Sequence, residues 1–471
     1  MTEYTKDLTQ PGWRAAVKIC AAGLLVAAMM PLSATAAQTI FKNVNVFDGV
    51  TDGLLGPCNV VVSEEQIVEP CAKSFEPMEG DTVVDGKGMT LMPGLIDSHV
   101  HFNLSMGGGR PGMEAARWDY MAVMGVAAAQ DWLADGFTTA RDMGGMHDGL
   151  RRVIDAGLID GPRLYLSTRM LSQSSGHGDM LLDSQSLPEQ SSLVRLEIIG
   201  LADGEDEMRK AVRRNFSLGA NLIKIMVGGG IAGAKGPMYM QQYTDAEISV
   251  AVEEAATRDA YVSAHVYHDA HIKRALGLGV MSIEHGQFIS EESAKLMKKK
   301  GAFISPYIAS VQSDEIFKHP VFGNKDSFEY PRVIEMKENS KDFIAIMKKV
   351  KPNIVFSSDI VSTNGIPSRQ HRDHEKWIFA ESFGNFEALK AMTSTGGKLA
   401  MQTGRSNPYP HKLGVIEKGA YADIIIVDGN PLEDITVIGG NPEWFTAQPR
   451  ERGIDSIRVI MKNGKVFKNT L

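Results

Sequence analysis

Between about residue 90 and residue 400, short apolar runs alternate with stretches of helical periodicity, the pattern of β-α units feeding a parallel sheet. The predicted strands are GLIDSHV (94–100), FTTARDM (137–143), RLYLSTRML (163–171), NLIKIMV (221–227), YVSAHV (261–266), MSIEHG (281–286), AFISPY (302–307) and IVFSSD (354–359). Helical patterns lie between them. TDAEISVAVEEAATRDA, for example, opens with Thr244 as N-cap and Glu247 at the capping-box position. Eight such strands over this length predict an α/β fold, a (β/α)8 or TIM barrel over 91–405. An open doubly wound sheet is the alternative, but no glycine-rich phosphate fingerprint follows the first strand.

The flanks follow another period. Residues 38–90 and 406–471 carry short alternating runs such as ADIIIVDG and IRVIMKNGKVF with Asp-Gly and Asn-Gly turns. They predict a small β-sandwich domain built from both chain ends. Three connections exceed the usual length, 172–204, 228–243 and 307–329, and in a barrel they would lie over the active-site mouth.

The first 37 residues read as an export signal. Lys6, Arg14 and Lys18 precede the apolar ICAAGLLVAAMM, which ends at Pro31 and SATAA, so cleavage is expected after Ala36 or Ala37. Twelve residues fall short of the roughly 20 that span a bilayer, so no membrane anchor is expected once the signal is removed. A buried N-terminal helix is the competing reading. Export implies a secreted or periplasmic protein. Cys20 would leave with the signal, and Cys58 and Cys71 flank a hairpin-like segment where an oxidising compartment would allow one disulfide or leave two thiols.

Composition narrows the partners. The chain has 471 residues, 43% of them hydrophobic and 23% charged, with a net charge of -8 and no long basic run. That is a soluble globular composition without the footprint of a nucleic-acid binder. A small-molecule substrate fits better.

Candidate chemistry begins at LIDSHVHFN. His99 and His101 are two apart, so in a strand both imidazoles leave the same face, a metal-ligand spacing that an ordinary strand-end pair can also show. Their partners decide. Lys224 in LIKIMVGGG, His265 in SAHVYH, His285 in IEHG and Asp359 in FSSD each lie near the C-terminal end of a predicted strand, where active-site groups of a barrel converge. A buried lysine is costly as an ammonium. As a neutral amine it can add carbon dioxide to give a carbamate able to bridge two metals; the alternative is an ammonium paired with a carboxylate.

The order PGLIDSHVH, IK followed by GGG, AHVY, IEHG, SSD and the closing LGVIEKGAYADIIIVDGNPLEDI resembles the amidohydrolase superfamily over nearly the whole mature chain. Lys224, SSGHGD and AHVYHDAHIKRALGLGVMSIEHG are similar to the branch of prolidase-like and Xaa-Arg dipeptidases and ochratoxin-hydrolysing amidases. Imidazolonepropionase resembles the chain in overall pattern only. The resemblance implies two divalent ions, zinc first, with manganese or iron as alternatives for the same ligands. His99, His101 and Asp359 would hold the more buried ion, His265 and His285 the more exposed one, and a carbamate on Lys224 would bridge them. It also implies hydrolysis of a peptide-type amide, in a dipeptide or N-acyl amino acid, by a metal-bridging hydroxide with Asp359 as proton shuttle.

Substrate contacts are expected from His177 in SSGHGD and from Tyr267, near the scissile group or the substrate carboxylate. Arg141 could bind a carboxylate or pair with Asp142 or another strand-end carboxylate. His268, His271, His371 and His374 read as solvated. The same machinery could open a cyclic amide or lactone, and a non-catalytic binding protein on this scaffold is the rival from another class, although no ligand position is lost. A homo-oligomer is expected from the resemblance alone.

Overall fold

The computed structural model describes residues 37–471 apart from 183, 185–189, 234 and 362. The export signal and Cys20 therefore lie outside the described residues, all but Ala37.

Two parallel sheets carry the centre of the molecule. One orders the strands Leu95–Val100, Phe137–Asp142 and Arg163–Leu166. The other orders Ile199–Leu201, Met170–Ser172, Ile223–Met226, Val262–His268, Ser282–Phe288, Phe303–Ser305 and Asn353–Ile354. Every residue of Leu95–Val100, Phe137–Asp142 and Ile223–Met226 is buried, as parallel strands covered by helices require. Single hydrogen bonds join the two sheets at both ends. The Asn221 amide donates to the Leu166 carbonyl at 2.7 Å, and the Ser98 amide donates to the Phe356 carbonyl at 2.9 Å.

Two predicted strands come out differently. The run RLYLSTRML is two strands, because Thr168 takes a left-handed φ of 61° and the chain passes from one sheet to the other. Asn215 covers the interruption, its amide donating to the carbonyls of Ser167 and Arg169 at 3.1 and 2.8 Å. Of IVFSSD only Ile354 joins the ladder, together with Asn353 before it; beyond it Val355 donates to Ile304 at 3.0 Å and Asp359 to His99 at 2.9 Å, one bond at a time.

The helix Asp245–Ala256 has its capping box, with Thr244 Oγ accepting from the Glu247 amide and the Glu247 carboxylate accepting from the Thr244 amide. The long connections are partly structured. Residues 172–204 contain the helix Ser192–Arg195 and a strand, and Glu114, from the helix Gly109–Ala115, accepts from the Ser192 amide at 2.7 Å, tying two loops together.

Both chain ends build one mixed eight-stranded sheet, ordered Lys465–Asn469, Ile457–Lys462, Ile424–Val427, Thr90–Pro93, Gln38–Val46, Leu55–Ser63 and Gln66–Ala72, with Thr82–Asp85 pairing on Gln38–Val46. The ends meet where Ile425 lies opposite Met92. Alternating side chains of these strands, among them Phe41, Val60, Ile67, Leu91, Ile424, Ile426 and Val459, enclose a separate apolar core. Arg163 fastens this sheet to the parallel strands through a buried ion pair with Asp423 at 2.8 Å. Among the described residues no helix is long and apolar enough to cross a membrane.

Cys58 and Cys71 form a disulfide closing a loop with a sequence separation of 13. A crosslink over a loop of this size stabilises by about 3 kcal/mol. Cys71→Ser is accordingly expected to lower the unfolding free energy by that amount in urea titrations under oxidising conditions. An unchanged midpoint would assign the bridge no part in stability.

Candidate metal centre

The strand register brings the predicted residues to one level. Met226 lies opposite His265 and Val266 opposite His285, so Lys224, His265 and His285 come from three adjacent strands. His99 belongs to the strand Leu95–Val100 and His101 follows it directly. The Asp359 amide donates to the His99 carbonyl, which fixes the aspartate beside both. All four imidazoles and Lys224 are buried; Asp359 keeps its side chain 20% exposed toward the mouth.

The tautomers follow from the partners. Nδ1 of His101 bonds to the Gly144 carbonyl at 2.9 Å, and Nδ1 of His99 lies 2.8 Å from the Glu284 carboxylate in an off-axis approach. Only a protonated nitrogen is tolerated beside either acceptor, so in the neutral form of each ring Nε2 carries the bare lone pair. Those two atoms are 3.2 Å apart, and Asp359 Oδ1 is 3.4 and 3.5 Å from them. Three acceptors facing one another in a buried site repel unless a cation stands among them. His285 completes the set with Nδ1 3.8 Å from Asp359 Oδ2, and His99, His285 and Asp359 offer ligand atoms all within 4.8 Å of one another. The donor set of imidazole nitrogen and carboxylate oxygen suits a divalent transition metal.

Electrostatics favour the ligand state at His99 and His285, whereas at His101 burial is outweighed by Asp359, which raises its pKa. Burial pulls His99 down to about 4 and His285 down to about 3, so both are neutral near pH 7. Burial raises Asp359, but the positive charge that His99, His101 and His285 carry when protonated outweighs it and holds the carboxyl below its ordinary range. Lys224 has no hydrogen bond or ion pair among the described residues. Burial pulls its ammonium down to about 8 against the opposing charges of Glu284 and Asp359.

His265 stacks on His177 with ring centroids 4.1 Å apart, and Tyr267 stacks on His285 at 5.0 Å. Both predicted substrate residues thus lie against the imidazoles of the centre. The glycine run after Lys224 is required by this packing, since a Cβ on Gly230 would come within 2.3 Å of the His177 ring and 2.8 Å of His265 Nε2.

Sequence reasoning missed the carboxylates behind the site. Asp97 accepts from Trp132 Nε1 at 2.9 Å, from Ser358 Oγ at 2.6 Å and from the amides of His99 and Ser358 at 3.2 Å each, pinning the His99 and Asp359 segments together. Glu284 accepts from Arg141 at 2.7 and 2.8 Å and from the hydroxyls of Ser263 and Ser282 at 2.6 Å. Arg141 is therefore paired with Glu284, not with Asp142. Asp97 was legible as the residue two before His99, on the same strand face; Glu284 was hidden beside a more conspicuous histidine. Among the histidines read as solvated, His268, His271 and His371 are half-buried, whereas His374 is buried. The segment carrying Asn441 and Trp444 covers it, and its nitrogens meet Ser313 Oγ at 2.7 Å and the Asn441 carbonyl at 3.2 Å.

Removing Glu284 leaves Arg141 buried without its counter-charge, which costs about 3–5 kcal/mol. Glu284→Gln is expected to lower the unfolding free energy by that much in denaturant titrations, against about 1 kcal/mol for Ser263→Ala, which loses one hydrogen bond. Equal losses would deny Glu284 its position at the centre of the network.

Known proteins share this architecture. Residues 90–466 match the model of the amidohydrolase family. Ochratoxinase of Aspergillus niger is 28% identical over 401 residues, 80% of this chain and 75% of that protein. Its crystal structure superposes with a TM-score of 0.75 at 26% identity, over 92% of this chain and 96% of that one. A prolidase complexed with N-methylphosphonate-L-proline superposes with a TM-score of 0.80 at 31% identity, over 92% of this chain and the whole of that one. With the match spanning both parallel sheets and the strands Thr90–Pro93, Ile424–Val427 and Ile457–Lys462 of the mixed sheet, this chain is an enzyme of the amidohydrolase family.

Proposed function

We propose that the protein is an exported, binuclear metal-dependent hydrolase of a peptide-type amide, in a dipeptide or an N-acyl amino acid. The observation that carries this reading is the convergence of the His99 and His101 Nε2 lone pairs, 3.2 Å apart, on Asp359. Similarity to a prolidase and to ochratoxinase supports the choice of an amide. The bonds that join the two parallel sheets at both ends support a closed (β/α)8 barrel over 91–405, with the mixed sheet of 38–90 and 406–471 as its β-domain. The disulfide is in keeping with export.

In this reading His99, His101 and Asp359 hold one ion and His265 and His285 the other, with zinc the first choice. Lys224, whose amine burial makes partly neutral, would hold both ions as the carbamate that a neutral amine forms with carbon dioxide, releasing one proton to water. When bound, the two ions supply activated water at neutral pH and polarise the amide carbonyl. Asp359 accepts the proton of that water and delivers it to the leaving nitrogen, which would otherwise depart as a poor amide anion. Tyr267 keeps its hydroxyl proton because burial pushes its pKa up, and burial holds His177 neutral, down to about 4. Both can therefore donate a hydrogen bond to the carbonyl oxygen as it gains charge.

The test is metal stoichiometry on the mature protein together with amino-acid release from a panel of dipeptides and N-acyl amino acids. About two ions per chain with turnover is the expected result. Two ions without turnover would move the substrate to a cyclic amide or lactone, and no uptake in the presence of bicarbonate would leave a binding protein. Lys224→Ala is expected to lower metal content and abolish turnover, with partial rescue by short carboxylic acids. Full metal and full rate in this variant would remove the bridge.

A further inference from the structure

The glycine run that follows Lys224 is held from outside the site. Arg332, on the helix Glu329–Asn339, donates from Nη1 to the carbonyls of Gly230, Ile231 and Gly233 at 2.8, 3.2 and 2.6 Å. Its guanidinium carbon lies 4.9 Å from the Phe328 ring centroid, and it forms no ion pair among the described residues. Carbonyl oxygens gathered around one point repel one another, and a guanidinium among them replaces that repulsion with charge-assisted hydrogen bonds. This turn of backbone therefore depends on Arg332 for its shape.

The same turn packs on His177. A Cβ on Gly230 would come within 2.3 Å of the His177 ring, one on Gly233 within 2.5 Å of its Nδ1, and one on Gly236 within 2.8 Å of its backbone nitrogen. His265 stacks on the ring with centroids 4.1 Å apart. Neither ring nitrogen of His177 has a hydrogen-bond partner among the described residues, so packing by the glycine turn and by His265 sets the direction of the ring. Three long connections thus meet on one imidazole: His177 comes from 172–204, the glycines from 228–243, and Arg332 from the helix that follows 307–329. A donor aimed at a developing charge acts only where it is held in place beforehand.

We propose that Arg332 is a positioning residue: by gathering the carbonyls of Gly230, Ile231 and Gly233 it makes the glycine turn a clamp that keeps the His177 ring aligned for the substrate carbonyl oxygen. This assignment rests on the amide-hydrolase reading, in which His177 donates to that oxygen. Arg332 itself touches neither substrate nor metal and acts through the turn.

The test uses metal-loaded protein with alanyl-phenylalanine as the probe substrate and compares wild type, Arg332→Met, Arg332→Lys, His177→Ala and the double variant of Arg332→Met with His177→Ala. Arg332→Met is expected to lower kcat about 10 to 100-fold with KM and metal content each within about twofold, and Arg332→Lys to recover part of the loss. In the His177→Ala background the same substitution should cost no more than about threefold, because the group it positions is gone. If Arg332→Met does not fold, Arg332→Lys carries the same cycle, with an expected loss of about three to tenfold that His177→Ala again abolishes. The full loss persisting in the His177→Ala background, or an unchanged kcat without it, overturns the proposal. If wild type cleaves neither the probe nor any other member of the panel, the amide reading fails by itself. Crystal structures of wild type and the Arg332 variant then decide the clamp: a His177 ring displaced from its stack on His265 supports it, and an unchanged stack overturns it.

Discussion

Two buried imidazole nitrogens and a carboxylate at the mouth that face one another set the terms for the rest of the structure. The Nε2 atoms of His99 and His101 and the nearer oxygen of Asp359 lie within 3.5 Å of each other, and with both rings neutral none has a proton to share. Such a cluster survives folding only if neighbouring groups force its geometry and a cation offsets its repulsion when bound. Both conditions leave traces. Glu284 and the Gly144 carbonyl take the opposite nitrogens of the two rings, and Asp97 ties the two segments that carry the ligands. Oriented ligands of this kind have higher affinity than free ones, because their partners have already fixed tautomer and direction.

The backbone is held in unusual conformations at the same place. His285 and Asp359 have φ of 72° and 46°, a left-handed region that costs side chains with a Cβ about 1–3 kcal/mol. Neither position is a turn glycine. The parallel ladder on one side of His285 and the single bonds around Asp359 impose these angles, which turn both side chains toward the centre. Strain, buried carboxylates and a buried lysine without a partner all concentrate within a few residues of the candidate ligands. Stability elsewhere must offset them, and the long apolar core beneath the parallel sheets is where it comes from.

The convergence of these residues was legible because a parallel strand reports its end in sequence: an apolar run, then a polar residue of the right type. His99, Lys224, His265, His285 and Asp359 each follow that rule. What was not legible depends on contacts between distant segments. Nothing in RLYLSTRML announces that Thr168 turns left-handed, since the amide of Asn215 makes that break tolerable from 46 or more residues away. The pairing of Arg141 with Glu284 joins residues 143 apart, and composition cannot choose it over the adjacent Asp142. His374 reads as solvated from its polar neighbours, but a segment near the C-terminus covers it. Tertiary cover of a polar residue leaves no local trace.

The most direct test is anomalous diffraction from crystals of metal-loaded protein grown with bicarbonate. The account predicts two peaks, one among His99, His101 and Asp359 and one between His265 and His285, with density extending from the Lys224 amine toward both. A single peak beside an unmodified Lys224 would contradict it.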